Sequence, residues 1–347
     1  MRKAKLLLKV ILLFAACAML VVFSKESREG VSRGLEMCLG VLVPSLFPFM
    51  ALSNLFIKTG LCSRLGRLLE KPTRLLFGLS GSVAPVILLG LIGGYPVGAG
   101  GLAQLKHQGV IDEEEARRAA LFTVCAGPGF VINFVGSALY GRTDIGMIMF
   151  TAQVISVLIT GIVSRLLFHK GKIYHSILKK HDTPLPFDTA LVESVLTAAK
   201  GMTVICSFVL AFSAGLGILE RFYSDSGLLI LFEVCSAVTS LAPVKPVEWV
   251  AFAVGFGGLC VHFQIFAALG RIKVNKLLFF LFRMIQGLIT ALFTHIGLKQ
   301  LHISTAVFST ASTNSAAVYG GSIASGAALA AVSICFLISL KEYKSST

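Results

Sequence analysis

Charged residues are scarce in this sequence. Only 14% of its 347 residues are Asp, Glu, Lys or Arg, whereas a soluble protein carries roughly 25%. Hydrophobic residues make up 55% of the chain, and several apolar runs are longer than the roughly 18 residues that cross a bilayer. The scarcity of charge excludes a soluble domain and predicts an all-α polytopic membrane protein that contacts the lipid bilayer.

Metal-ligand spacings and catalytic signatures are also missing. The eight cysteines show no Cys-x-x-Cys spacing, and most of them lie inside apolar runs, where cysteine behaves as a small hydrophobic residue. The sequence contains no Gly-x-Ser-x-Gly, no His-Glu-x-x-His and no phosphate-binding Gly-Lys-Ser/Thr loop. We therefore expect neither an enzyme nor a bound metal or cofactor.

Acidic residues are the scarcer of the two charged classes. The chain has 17 of them against 31 Lys and Arg, which gives a formal net charge of +14. In a membrane protein this excess is interpreted as loop charge facing an anionic leaflet, so no nucleic-acid partner is expected. Lys and Arg concentrate on one side of the predicted topology, and this bias places both termini in the cytoplasm.

Long apolar runs predict about eight transmembrane helices. Their ranges are 6–23, 34–57, 117–139, 145–168, 193–219, 249–269, 277–298 and 319–340. Segments 79–105 and 228–248 contain too many Gly, Pro, Ser and Thr for plain spans. Such backbone is tolerated at membrane depth only where protein or water covers it, so both are predicted to be re-entrant hairpins. Alternating basic and apolar residues over 60–76 predict a segment along the inner membrane surface.

An internal repeat organises these elements. Residues 126–142 align with residues 255–271, about 129 positions later, so that Gly129 falls on Gly258. Loop charge orients the two halves oppositely, and inverted repeats are typical of secondary transporters with a site where the halves meet. The predicted domains are a peripheral helix (1–33), a first repeat (34–168), a cytoplasmic linker (169–192), a second repeat (193–298) and a C-terminal helix and tail (299–347).

The stretch Gly93-Gly-Tyr-Pro-Val-Gly98 in the first hairpin is one candidate site. A helix must break here, because Pro96 lacks an N–H and Gly94 and Gly98 lack side chains. Such a break exposes N–H groups that can face a solute, and Tyr95 lies between the breaking residues. The alternative is close helix packing, since Gly94-x-x-x-Gly98 matches the small-residue contact pattern.

A second candidate lies in the broken third element of each repeat. Unwound backbone beside an amide or imidazole side chain offers hydrogen-bond donors and acceptors at mid-membrane depth. The residues are Gly127, Pro128, Gly129, Phe130 and Asn133 in the first repeat, and Gly257, Gly258, His262 and Gln264 in the second. The alternative is a kink whose polar residues bond neighbouring helices.

Charged residues also lie deep within predicted membrane segments: Lys200 and Arg283 stand about two turns inside their spans, and Glu233 is in the second hairpin. A charge at a helix centre costs about 2.5–3.5 kcal/mol or more, so each needs a partner or a wet cavity. Two cations against one carboxylate would suit an anionic solute. The alternative is that Lys200 and Arg283 extend to the inner interface.

Four of these stretches together resemble the sporulation integral membrane protein YlbJ family, also called SpoVV, of the nucleoside-recognition or Gate group. They are Val43-Pro-Ser-Leu-Phe-Pro-Phe49, Gly93-Gly-Tyr-Pro-Val-Gly-Ala99, Ala126-Gly-Pro-Gly-Phe130 and Gly257-Gly-Leu-Cys-Val-His-Phe-Gln264. The resemblance covers about residues 30–340. It implies an inverted-repeat transporter fold related to concentrative nucleoside transporters, and a role in moving dipicolinic acid in spore-forming bacteria.

These observations lead to the expectation of a secondary carrier for a small polar, anionic aromatic solute during sporulation. Nucleoside transport and a non-transporting sporulation scaffold are the alternatives. We expect a cell-membrane location, with the membrane around the forespore and a homo-oligomer as open possibilities.

Overall fold

The computed structural model describes residues 2–168, 185–223, 226–242 and 244–301. Every described residue lies in one compact unit, residues 1–307. The predicted span 319–340 and residues 169–184 of the predicted linker lie outside the described residues. All regular elements within the described ranges are helical, which confirms the all-α fold class.

The described part of the chain contains fifteen α-helices. They are α1 (Arg2–Val22), α2 (Ser24–Met37), α3 (Val43–Lys58), α4 (Leu61–Leu68), α5 (Glu70–Phe77), α6 (Ala84–Gly93), α7 (Tyr95–His107), α8 (Glu113–Ala120), α9 (Thr143–Phe168), α10 (Phe187–Phe222), α11 (Ser226–Phe232), α12 (Val234–Leu241), α13 (Val247–Phe256), α14 (Gly258–Leu269) and α15 (Lys276–Gln300). Two π-helical segments, Cys38–Leu42 and Gly129–Leu139, and a 3-10 turn at Gly81–Val83 complete the set. The first π-helical segment joins α2 to α3 in one helix, Ser24–Lys58.

Five described helices are long and apolar enough to cross a membrane, or six if one bent pair counts as a span. The five are Ser24–Lys58, Thr143–Phe168, Phe187–Phe222, Val247–Leu269 and Lys276–Gln300. The predicted number of eight is not confirmed. In α1 the apolar stretch Leu6–Val22 falls just short of the length required, and the predicted span 117–139 is interrupted.

Helix Ser24–Lys58 and α10, the first long helices of the two predicted repeats, pack closely at one end. A side chain at Gly30 would overlap the Ser213 carbonyl oxygen, and one at Gly217 would overlap the Glu26 carbonyl oxygen. Glycines at these positions therefore let the two backbones approach, as small residues do between membrane helices.

Ion pairs at both ends show that these two helices are antiparallel. Arg33 pairs with Glu220, while Lys58 pairs with Glu193 at 2.6 Å near the opposite end. The first residues of one helix therefore lie beside the last residues of the other. Equivalent helices of an inverted repeat would have this relation, and the repeat itself stays a prediction.

Helices α6 and α7 form the first hairpin. Its tip is Gly94, which has φ +85°, and the two arms approach so closely that a Cβ on Gly90 would lie 3.2 Å from the Gly98 Cα. Gly94 turns the chain in a conformation that side-chain-bearing residues rarely adopt. Pro96 lies in the first turn of α7, where its missing N–H leaves no bond unmade.

Helices α11 and α12 form the second hairpin, and Glu233 is its tip. Glu233 has an extended backbone (φ −148°, ψ 123°), so the helix cannot continue through it. The tip lies against the break of the next element, because a Cβ on Gly258 would lie 3.1 Å from the Glu233 nitrogen. In both predicted hairpins the chain thus turns at a tip that lies beside the break of the following element.

The element that follows each hairpin is broken in a different way. The predicted Gly-broken span at 117–139 is interrupted over several residues: α8 ends at Ala120, residues 121–127 are not helical, and the π-helical segment begins at Gly129. Pro128 disfavours a helical conformation at the residue before it. In the second repeat α13 and α14 are separated only by Gly257, which has φ +86°.

Candidate functional site

A central pocket lies where the tips of both hairpins meet both broken elements. It encloses about 420 Å³ of space not filled by atoms, a volume that includes open solvent at its mouth. The first repeat contributes Leu42, Leu46, Gly94, Tyr95, Pro96, Ala126, Gly127 and Phe130. The second contributes Ile205, Val209, Glu233, Val234, Cys235, Val261 and Gln264.

The two predicted repeats line this pocket with parts that correspond in chain order. Each supplies residues from its first long helix, from its hairpin tip and from its broken element. Gly127 packs directly against the tip of the first hairpin, since a Cβ there would lie 2.9 Å from the Ile92 oxygen and 3.2 Å from the Gly94 nitrogen. Gly258 packs against the tip of the second hairpin in the same manner. Glycines in the breaks therefore bring the hairpin tips to the pocket.

Among the described residues that line the pocket, only Glu233 carries a formal charge. Its carboxylate caps α12, accepting hydrogen bonds from the Cys235 nitrogen (2.9 Å), the Ser236 nitrogen (2.7 Å) and the Ser236 hydroxyl (2.9 Å). An ionised carboxylate has about four acceptor positions, so one remains for a donor on a solute. Glu233 is 1% exposed, so a second negative charge beside it would be unfavourable.

Tyr95 joins the tip of the first hairpin to the second repeat. Its hydroxyl donates a hydrogen bond to the Val254 oxygen in α13, and the Arg283 guanidinium lies 5.4 Å from the centre of its ring. The phenol thus forms part of the pocket wall while its hydroxyl is engaged elsewhere. The aromatic face supplies apolar contact area to the pocket, and a cation behind the ring adds an attractive interaction.

Arg283 occupies the space behind Tyr95 and does not line the pocket. Its guanidinium donates to the Phe256 oxygen (3.1 Å), the Gly255 oxygen, the Val124 oxygen and the Gln286 side-chain oxygen. These acceptors engage most of the five N–H groups of an arginine. The carbonyl groups belong to the breaks of both repeats, so Arg283 connects the two breaks.

Gln153 and Gln286 hold the rest of the first break. With its amide oriented to suit its neighbours, Gln153 donates to the Ala126 oxygen (3.2 Å) and accepts from the Ala126 nitrogen (2.9 Å). Gln286 donates to the Phe122 oxygen (3.3 Å) and to the Thr160 hydroxyl (3.0 Å). Buried backbone groups outside helices need such partners, and these side chains supply them.

The remaining predicted residues lie around the pocket or away from it. Gly98, Pro128, Gly129 and Gly257 shape the hairpin and the breaks without lining the pocket. Asn133 is exposed on the π-helical segment, and Lys200 is exposed on α10. The structure therefore brings Gly94, Tyr95, Pro96, Gly127, Phe130, Glu233 and Gln264 together. With Lys200 outside the pocket and Arg283 engaged by carbonyl groups, the expectation of an anionic solute gains no support.

His262 lies behind the pocket wall in an aromatic cluster. Its Nδ1 pairs with the Gly258 oxygen, and three phenylalanine rings surround the imidazole with centroids 5.0–5.8 Å away. Its Nε2 has no hydrogen-bond partner within the described residues. The imidazole therefore packs against the break of the second repeat rather than facing the pocket.

Comparisons with known proteins find a similar family and a similar protein. Residues 39–164 match the Gate family model, described as nucleoside recognition. The chain is 25% identical over 335 residues to the sporulation integral membrane protein YlbJ of Bacillus subtilis (strain 168), covering 82% of this chain and 81% of that protein. No solved structure matches the chain. The resemblance to the YlbJ family and to the Gate group is thus confirmed.

Proposed function

We propose that this integral membrane protein is a secondary carrier whose solute occupies the central pocket. The observation that carries the proposal is that both repeats build the pocket from equivalent parts, at the points where their helices break. Broken helices at the interface of two repeats are the usual place for a transporter site. A scaffold would not require a pocket of this composition, with apolar walls and one buried carboxylate.

The chemistry of the pocket favours an uncharged polar solute with an apolar or aromatic body. Leu42, Leu46, Ile205 and Val209 offer apolar walls, while Glu233 offers a hydrogen-bond acceptor. A nucleoside has a flat base and hydroxyl donors and therefore fits these features. The description of the Gate family model, nucleoside recognition, supports the same choice.

A dipicolinate-type dicarboxylate is the second candidate, because the relative in Bacillus subtilis is a sporulation protein. Such a dianion would meet the Glu233 carboxylate in a buried pocket, where like charges repel. It would therefore need a proton or a cation bound with it. On either reading we place the protein in a sporangial membrane.

Uptake into proteoliposomes tests these assignments. The purified chain is reconstituted, and the uptake of a radiolabelled nucleoside and of radiolabelled dipicolinate is measured with the wild type and with Glu233→Gln. Glu193→Gln, which changes an exposed carboxylate of α10, serves as the matched control.

The sign of the Glu233→Gln effect distinguishes the solutes. For a nucleoside, losing a hydrogen bond to a charged acceptor should raise KM roughly 10-fold or more. For a dicarboxylate, removing the like charge should increase uptake. Uptake of neither solute by wild type or variant, with the protein correctly inserted, would contradict the carrier proposal and favour a scaffold.

A further inference from the structure

The exposed face of α4 and α5 combines cations with large apolar side chains. Arg64, Arg67 and Lys71 are exposed, and Leu68 and Leu75 are 76% and 69% exposed. Within α4, residues 61, 64 and 68 follow the three- and four-residue spacing of one helix face, and residues 71 and 75 do so within α5. Leucines and cations therefore occupy the same side of this segment.

The opposite face of the segment is fixed to the base of the first hairpin. The Glu70 carboxylate accepts hydrogen bonds from the Gly81 nitrogen (2.6 Å) and from Arg74 (2.6 Å). Thr73 and Phe77 are buried, so the packed side is distinct from the side with the three exposed cations named above. The segment is thus a preformed surface and not a loose loop.

A sharp bend separates α5 from the first hairpin. Helix Glu70–Phe77 is bent by 97° from Gly81–Gly93, the segment that leads into the apolar first hairpin. If the hairpin enters the bilayer along its normal, α5 lies in the interface plane. Amphipathic helices with basic and leucine side chains on one face bind in this way, and anionic headgroups attract the cations.

We propose that the exposed face of α4 and α5 is a docking surface for the anionic headgroups of the membrane leaflet at the base of the first hairpin. Leucines at positions 61, 68 and 75 enter the acyl boundary, while Arg64, Arg67 and Lys71 contact lipid phosphate groups. The partner is a lipid surface because the cations are interleaved with exposed leucines, which a soluble anion would leave in water.

Tryptophan fluorescence can test this surface directly, because the chain contains a single tryptophan, Trp249. In a Trp249→Phe background, Leu68→Trp supplies a reporter on α4. The protein is reconstituted in mixtures of phosphatidylcholine and phosphatidylglycerol, with bromine on the acyl chains of either lipid. The ratio of quenching by the two brominated lipids, divided by their bulk ratio, measures the local preference for the anionic lipid.

We expect this preference to be about twofold or greater at position 68 and to fall towards one with added salt. Arg64→Gln combined with Arg67→Gln and Lys71→Gln should abolish it, while Arg64→Lys with Arg67→Lys should retain it. Neutralising the exposed Lys25 and Arg28 of α2 should leave it unchanged. In a chain that keeps Leu68 and Trp249, the lipid preference measured at Trp249 should be the same with and without the triple substitution.

Equal quenching by the two lipids in the reporter with all its cations would overturn the proposal. So would a preference that survives the triple substitution. Because the measurement needs no transported solute, its outcome is independent of the carrier proposal.

Discussion

The two helix breaks beside the pocket occupy equivalent places in the repeats but differ in length. In the first repeat residues 121–127 are not helical, whereas in the second only Gly257 separates two helices. The longer break exposes more backbone and accordingly has more side-chain partners. Arg283, Gln286 and Gln153 hold the first break, and Arg283 holds the second.

Gln153 and Arg283 are equivalent residues of the two repeats with different chemistry. They lie 130 positions apart, and their backbone partners Ala126 and Gly255 lie 129 positions apart. The same position thus secures the break in each half. A glutamine reaches one residue, whereas an arginine reaches both breaks, because its guanidinium carries five donors in a fork. The two halves thus have a side-chain contact to the break at the same position, made by an amide in one half and by a guanidinium in the other.

The largest expected effect comes from removing the residue that serves both breaks. Arg283→Met should destabilise the fold by about 3–5 kcal/mol, because several buried carbonyl groups lose a charged partner. Gln153→Met should cost less, about 1–3 kcal/mol, since it frees one residue. The measurement is unfolding in detergent micelles followed by circular dichroism. Lys200→Met, on the exposed face of α10, is the control and should have little effect.

Equal losses for Arg283→Met and Gln153→Met would contradict the idea that one arginine supports both breaks. A large loss for Lys200→Met would show instead that this lysine has a buried partner in the membrane.

A smaller effect is expected from the glycines of the first hairpin. A side chain at Gly98 would overlap the Thr123 carbonyl oxygen in the first break, while Gly100 has no atom within 4 Å of the added Cβ. Gly98→Ala should therefore cost about 1–3 kcal/mol, and Gly100→Ala should be neutral or slightly stabilising.

Alkylation of buried cysteines can show which break is disturbed by Gly98→Ala. Cys125 lies in the first break and Cys260 follows the second, and both are buried. The alkylation rate of Cys125, followed by mass spectrometry, should rise while that of Cys260 stays constant. Equal increases at both cysteines would mean that the hairpin supports the two breaks alike.

Much of this arrangement can be predicted from the sequence, because glycine and proline act locally. The spacing Gly94-Tyr-Pro and the pair Gly257-Gly258 break helices whatever surrounds them. The repeat of about 129 residues then predicts that equivalent parts meet. Glu233 is also found in this way, since a carboxylate in an apolar segment needs a buried function.

The roles of the cations depend on packing and could not be predicted in the same way. Lys200 and Arg283 both lie in apolar runs, and only the direction of each side chain separates an exposed residue from one engaged by carbonyl groups. The apolar wall residues Leu42 and Ile205 look like any other residue of a membrane helix.

A repeated polar stripe was the signal available for the supporting residues. Buried polar side chains follow the same spacing of three, four and four residues on α9 and α15. They are Gln153, Ser156, Thr160 and Ser164 on α9, and Arg283, Gln286, Thr290 and Thr294 on α15. Aligning the two halves over these helices would have identified Gln153 and Gln286 as partners of the breaks.

The smallest effect is expected where the halves meet at the surface, away from the breaks. Glu113 at the start of α8 pairs with Lys106 and accepts a hydrogen bond from the Lys273 nitrogen (3.0 Å) of the second repeat. The hydrogen bond from Lys106 lowers the pKa of Glu113 below its ordinary value. This contact therefore adds stability above the ordinary pKa of a glutamate, and the contribution is lost as the pH falls through the lowered value.

Because surface pairs contribute about 0–1 kcal/mol, Glu113→Gln should lower the free energy of unfolding slightly at pH 7 and not at all in strong acid. A Glu113→Gln difference that grows on acidification would contradict the ion pair. A difference as large as that of Gln153→Met would mean that the halves are joined mainly at their surface and not through the breaks.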